Sequence, residues 1–317
     1  MNFEKMINVS KCLLTDNMGL RREEKLLIIC DSETVNIAKS LFEAGQLLGS
    51  ESLLVQISPM KKNGEEPSAR VRELMLASDV VIIPTSKSMT HTHAKKDACS
   101  AGARVATMPG ITEDMYFNGP ITADYKEVEI LTKKLTSLLD KAKEAEIRKD
   151  GCSLTLSLDG RKGIPSTGVY REKGQAGNLP SGEAFIAPVE GSASGEVVID
   201  GSFAGIGVLS APLKLFFEKG QLVDAKGPER QKLFDLLGDN PLARNVAELG
   251  IGTNNKARVT GVILEDEKIY GTVHIALGSN DTFGGTVAAG IHVDGVITNP
   301  ELYIDGKCIL SEGKIHI

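Results

Sequence analysis

Residues 288–297 read AAGIHVDGVI. On a β-strand, positions i and i+2 point to one face, so His292 and Asp294 share a side and Val293 takes the other. An imidazole and a carboxylate aimed into one space are typical donors to a divalent metal. The same pair can instead form a buried hydrogen bond that only steadies the fold. The chain holds five histidines, and another of them, His274, lies in GTVHIALG on the preceding strand-like segment. Two neighbouring strands can bring His274, His292 and Asp294 together. Two imidazoles and a carboxylate on one face leave coordination positions open for substrate and water, which marks a catalytic site rather than a structural one. Glu183 in LPSGEAFIAP and Glu248 in VAELGIGTN extend the set. A carboxylate among apolar residues and glycines is costly unless paired or bound to a cation; an exposed strand end is the alternative for each.

The elements that must position these groups fall into two halves. In the first, KLLIIC (25–30), ESLLVQIS (51–58), DVVIIPT (79–85) and ARVATMPG (103–110) read as strands. Between them, 33–48, 67–78 and 91–102 read as helices. Strands alternating with helices predict parallel βαβ units, a Rossmann-like α/β domain. The turn after the first strand, CDSETVN, has no GxGxxG and no GxxxxGK[ST], which argues against nucleotide or dinucleotide binding. Residues 124–149 read as one long charged helix with Val128, Leu131, Leu135, Leu138 and Leu139 as its apolar stripe. It ends at Asp150-Gly151, where the domain boundary is placed: 1–150 and 151–317. The second half reads as a mainly antiparallel β (α+β) domain with Gly-rich turns. Its strands are CSLTLSLD, GEAFIAP, GEVVID, ARVTGVIL, GTVHIAL, GIHVDGVI and ELYIDG; only 228–238 reads clearly as helix.

Bulk properties narrow the partners. With 317 residues the chain can hold two ordinary domains. A net charge of −6, no tryptophan and 4% aromatics argue against nucleic acid. The N-terminus lacks a signal-peptide pattern, no apolar run approaches the ~18 residues needed to span a bilayer, and five scattered cysteines without CxxC fit reduced thiols. A cytoplasmic location without membrane association is the expectation. His91, read as beginning a helix after VVIIPT, lies where ligands gather in parallel sheets. From there it can act as acid or base, with Lys87 or Arg104 holding an anionic group; a helix N-terminus with two solvated histidines, His91 and His93, is the alternative.

As an ordered set, LPSGEAFIAP, VAELGIGTN, VHIALG and IHVDGVI resemble the aminopeptidase T family of metal-dependent aminopeptidases, and PTSKSMTHTHAKKDACSAGARVATMPGITEDM (84–115) is similar to a long stretch of that family. The resemblance covers most of the chain. It implies metal ligation by Glu183, Glu248, His274, His292 and Asp294, a pocket role for His91, and a homodimer. The implied activity is removal of N-terminal residues from small peptides by water activated on divalent zinc, cobalt, manganese or magnesium, with Glu183 or Glu248 able to serve as general base. Relatives in the same superfamily, the dihydroxypyridine ring-cleaving dioxygenases, keep the two histidines and the aspartate as ligands of one Fe(II). Where the peptidases carry a tyrosine after the IALG block, ALGSNDTFGGTV offers Asp281 and Phe283, and the spacing to His292 is short. Chain length leans toward the dioxygenases and retention of both glutamates toward a two-metal hydrolase. The hydrolase is the expectation, with the 2,5-dihydroxypyridine 5,6-dioxygenase type as its alternative on a small-molecule substrate.

Overall fold

A computed structural model describes residues 2–317. The chain divides into two compact units, Met1–Lys126 with Gly168–Ser181, and Glu127–Thr167 with Gly182–Ile317. This differs from a single cut at 150. The segment after the long helix belongs with the second unit, and the chain returns to the first at Gly168 to add a strand.

The first unit is built on a five-stranded parallel sheet in the order Glu51–Gln56, Lys25–Cys30, Val80–Thr85, Arg104–Pro109, Ala176–Asn178. Val80–Thr85 is buried along its whole length, and Lys25–Cys30 is exposed only at Lys25. Strands covered on both faces read as continuous apolar runs, and for that reason they were legible. Leu27, Ile29, Val81 and Ile83 pack with Val71 and Met75 of the helix Ala69–Leu76. The helix after VVIIPT starts at His93, two residues later than the sequence suggested. Thr92 is its N-cap and accepts from the Lys95 amide at 3.3 Å.

The second unit holds two antiparallel sheets. One has eight strands in the order Gln221–Lys226, Leu213–Glu218, Ser194–Ile199, Cys152–Ser157, Glu144–Lys149, Glu301–Ile304, Lys307–Ser311, Lys314–Ile315. The other has seven: Gly207–Val208, Ser202–Phe203, His292–Ile297, Val273–Gly278, Val246–Gly252, Glu183–Ile186, Ile164–Ser166. Ile147, Leu154, Val197 and Leu215 of the first and Ile186, Leu249, Ile275 and Val293 of the second share one apolar core, joined by Leu135 and Leu139 of the helix Tyr125–Leu139.

Two expected elements are replaced. The helix predicted over 124–149 stops at Leu139, and Glu144–Lys149 is a strand. Its charges suggested a helix surface, but Ala145 and Ile147 point alternately into the core. ARVTGVIL is not a strand. Its amides are taken by two buried carboxylates: Glu265 accepts from the Arg258 amide at 2.9 Å, and Asp266 from those of Thr260 and Gly261 at 2.8 Å each. Those bonds stand in for a strand partner, and the segment runs into the short helix Ile263–Asp266.

Candidate metal centre

Four neighbouring strands of the seven-stranded sheet supply the chemistry. His292–Ile297 pairs with Val273–Gly278, which pairs with Val246–Gly252, which pairs with Glu183–Ile186. Val273, Ile275 and Leu277 enter the core, so His274 faces the opposite side; Val293 and Ile297 do the same for His292 and Asp294. Glu248 needs a correction to this alternation, since Val246 is a core residue and lies two positions away. A register shift between Val246 and Glu248 provides it: Val246 pairs with Leu277 and Glu248 with Ala276. The bulge turns Glu248 out of the core and onto the donor face.

The five residues then converge. His274 Nε2 lies 3.2 Å from Glu248 Oε1 and 3.4 Å from Glu183 Oε2. His292 Nε2 lies 3.5 Å from Glu248 Oε2 and 3.4 Å from Asp294 Oδ1. Donors bound at ~2.1 Å to one ion stand about 3 Å apart in adjacent positions, so these spacings are those of a ligand shell. The donors form two overlapping groups, Glu183–Glu248–His274 and Glu248–His292–Asp294, each tight enough for one cation. Glu248 belongs to both, with one oxygen toward each imidazole. Neither group contains both histidines. Glu183 Oε2 is buried with no hydrogen-bond partner, an orphaned acceptor that a cation would satisfy. His292 Nδ1 donates to the Ser279 carbonyl at 2.8 Å, which leaves Nε2 free to ligate. At 31% side-chain exposure, His292 is the opening of an otherwise buried cluster.

Sequence reasoning missed Lys268 and Glu267. Lys268 is almost fully buried, and its Nζ donates to Glu183 Oε1 at 2.6 Å and to Glu267 Oε1. Within EDEKIY it reads as solvated surface charge. The fold brings it in through Gly252, the register partner of Glu183, where an added Cβ would sit 2.0 Å from the Ile269 carbonyl oxygen. The backbone next to Lys268 therefore crosses directly over that strand. No local pattern in the sequence signals this approach.

The electrostatics follow from burial and crowding. Burial alone would lower both imidazoles. Glu248, Glu183 and Asp294 outweigh it for His274, which is raised to about 9. Asp294 and Glu248 raise His292 to about 10. Burial would raise Asp294, but His292, His274 and Lys268 hold it at about 2. Burial pushes Glu248 above the usual carboxylate range and Glu267 to about 8. Burial would lower Lys268, but Glu183 and Glu267 hold it above its ordinary value.

The metal-free histidines thus stabilise the fold fully below pH 6.5, and that contribution is lost as pH rises through 9 to 10. Asp294 works the other way: its contribution is present above pH 3.8 and lost as pH falls through about 2. Imidazoles must be deprotonated to ligate. Metal binding by both imidazoles at pH 7 is therefore expected to release about two protons, with affinity rising up to pH 9–10. Calorimetry in buffers of different ionisation enthalpy measures this directly, and binding without proton release would contradict the assigned donors.

The other candidates belong to neither donor group. His91 is exposed, on the first unit, just before the Thr92 cap. Lys87 is exposed after the strand Val80–Thr85. Arg104 does not present an anion-binding group: it is buried and donates to Glu24 at 2.6 Å from the amino end of its strand. Asp281 is exposed in a turn.

A parallel α/β unit joined in one chain to an antiparallel β unit with a His/carboxylate cluster defines a two-domain protein with a candidate divalent-metal centre. Residues 8–317 match the family model described as NicX, 2,5-dihydroxypyridine 5,6-dioxygenase, and the chain belongs to that family. The 2,5-dihydroxypyridine 5,6-dioxygenase of Pseudomonas putida KT2440 is 22% identical over 99% of this chain and 94% of its own length. The solved structure of the Pseudomonas putida KT2440 dioxygenase superposes with a TM-score of 0.82 at 18% identity, covering 98% of this chain and 96% of that one. Wild-type AmpT from Thermus thermophilus superposes with a TM-score of 0.73 at 16% identity, covering 99% of both chains. Its likeness concerns the fold. The aminopeptidase expectation is therefore corrected: the family model and the curated relative both point to the dioxygenase. Retention of both glutamates, which favoured the hydrolase, is outweighed by the family match. Among the described residues, no helix is long and apolar enough to cross a membrane.

Proposed function

We propose that this chain is an Fe(II)-dependent dioxygenase that opens the ring of a small hydroxylated N-heteroaromatic compound of the 2,5-dihydroxypyridine type. Membership in the dioxygenase family carries the reading, and the orphaned acceptor within a His/carboxylate cluster fits a divalent cation. His274, His292 and Asp294 would hold the iron together with Glu248, the residue that both donor groups share. Bound Fe(II) supplies open positions where dioxygen and a ring hydroxyl can meet.

The chain's own residues do the rest. Ser279 orients the His292 ring through Nδ1. Lys268 holds Glu183 by Oε1 and leaves Oε2, the orphaned acceptor, directed at the cluster beside His274. Glu183, Glu248, His274 and Asp294 are buried, and the more exposed His292 marks the side from which substrate would reach the cluster.

Protein purified without chelator, loaded anaerobically with Fe(II) and mixed with 2,5-dihydroxypyridine is expected to consume one O₂ per ring opened. Asp294→Ala is expected to lower that rate by at least about 100-fold. Stoichiometric iron with no oxygen uptake across hydroxylated pyridines would reject the reading.

A further inference from the structure

The donor face also carries aromatic surface. Phe185 stands two residues from Glu183 on the same strand and so points to the same side. Its ring centroid lies 5.6 Å from that of Phe283, at an interplanar angle of 73°. Phe283 in turn lies 5.6 Å from the His292 ring at 86°. Both phenylalanines are half-buried, so part of each ring remains available.

Phe283 comes from the loop 279–291, which is tied down along its length. Glu190 accepts from Asn280 Nδ2 at 3.1 Å and from the Thr286 amide at 2.8 Å. Arg161 joins Glu190 to the Gly284 carbonyl. Ser279 Oγ accepts from the Ala289 amide at 2.8 Å and the Gly290 amide at 3.1 Å. A loop fixed this way presents Phe283 at little ordering cost on binding.

We propose that Phe185 and Phe283 form the substrate-facing wall of the metal centre, selecting a flat aromatic ring, and that Glu190 with Arg161 holds that wall in place. The proposal deepens the dioxygenase reading and rests on it for the identity of the ring. Rings in edge-to-face or offset contact gain beyond simple burial, and that gain requires a flat, π-bearing partner. Phe283 also contacts a candidate ligand imidazole, so a ring packed on the wall lies next to the cation rather than at a distance from it.

The test is binding of 2,5-dihydroxypyridine under nitrogen, followed by calorimetry on Fe(II)-loaded and metal-free protein. Phe283→Ala is expected to raise Kd about tenfold. Phe283→Leu keeps apolar bulk without a ring and is expected to fall between that variant and the parent. Glu190→Gln touches no substrate, yet should weaken binding several-fold and speed amide exchange across 279–291. The saturated ring 1,4-cyclohexanediol should show no dependence on Phe283. Unchanged Kd in Phe283→Ala at native metal content overturns the wall. Phe283-dependent binding without any oxygen uptake sustains the wall and overturns the dioxygenase reading.

Discussion

Gly250→Ala is expected to empty the metal centre while leaving the fold standing. Gly250 pairs directly with His274 across two strands, and a Cβ there would sit 1.9 Å from His274 Nε2 and 2.2 Å from its Cε1. No atom tolerates that approach, so the imidazole must leave the position from which it meets Glu248 and Glu183. The ring is fully buried, so its displacement repacks its neighbours. The backbone at Gly250 is not in the left-handed region, so alanine adds no conformational strain of its own. Leu249 and Ile251 keep their places in the core on the other face. The stability cost should be that of modest overpacking, about 1–3 kcal/mol, whereas metal affinity should fall by about 100-fold. Elemental analysis of purified protein, with thermal melting of the metal-free form, separates the two effects. A variant that retains the parental metal content would show that His274 is not a ligand.

Lys268→Met is expected to be among the most destabilising single changes in the second unit. Lys268 is a buried cation within reach of Glu183 and Glu267, and only 1% of its side chain is exposed. Removing one partner of a buried ion pair leaves uncompensated charge and costs about 3–5 kcal/mol. Lys268→Met with Glu267→Gln removes charge from both sides and should recover a substantial part of that loss. Glu267 is raised to about 8, so its own contribution to stability is full below pH 4.5 and lost as pH rises through 8. The penalty of Lys268→Met should accordingly be smaller in acid and larger above pH 8. Denaturant titrations at both pH values provide the measurement. A loss below about 1 kcal/mol at pH 8 would mean that the carboxylates are already neutral or relaxed without the ammonium. A bound divalent cation replaces part of the missing positive charge, so metal loading should protect this variant more than the parent.

The donors were legible because each lies in a short apolar block where a charged or titratable residue has no structural excuse. His292 and Asp294 needed only the strand period, and His274 only an adjacent strand. The parallel sheet of the first unit was legible from runs such as VVIIPT, which stay apolar on both faces. The strand Glu144–Lys149 was hidden because its exposed face is charged like a helix surface, with Ala145 and Ile147 as the only sign of a period of two. ARVTGVIL was misread because β-branched residues satisfied the strand pattern, while the residues deciding its conformation, Glu265 and Asp266, follow it in the chain. The choice of chemistry turns on the family match, because a cluster of two imidazoles and three carboxylates suits both reactions.

By itself, the sequence determined which titratable residues gather on one sheet face and which strands carry them, since period and burial are local properties of the chain. Only the tertiary structure decided that a bulge after Val246 turns Glu248 toward the histidines, that Gly250 leaves room for the His274 ring, and that Lys268 is buried against Glu183. Each of these depends on contacts between segments distant in the chain. A register shift, a missing side chain opposite a ring and a backbone crossing over a glycine leave no periodic trace, because the energy that selects them arises only when the strands are already side by side.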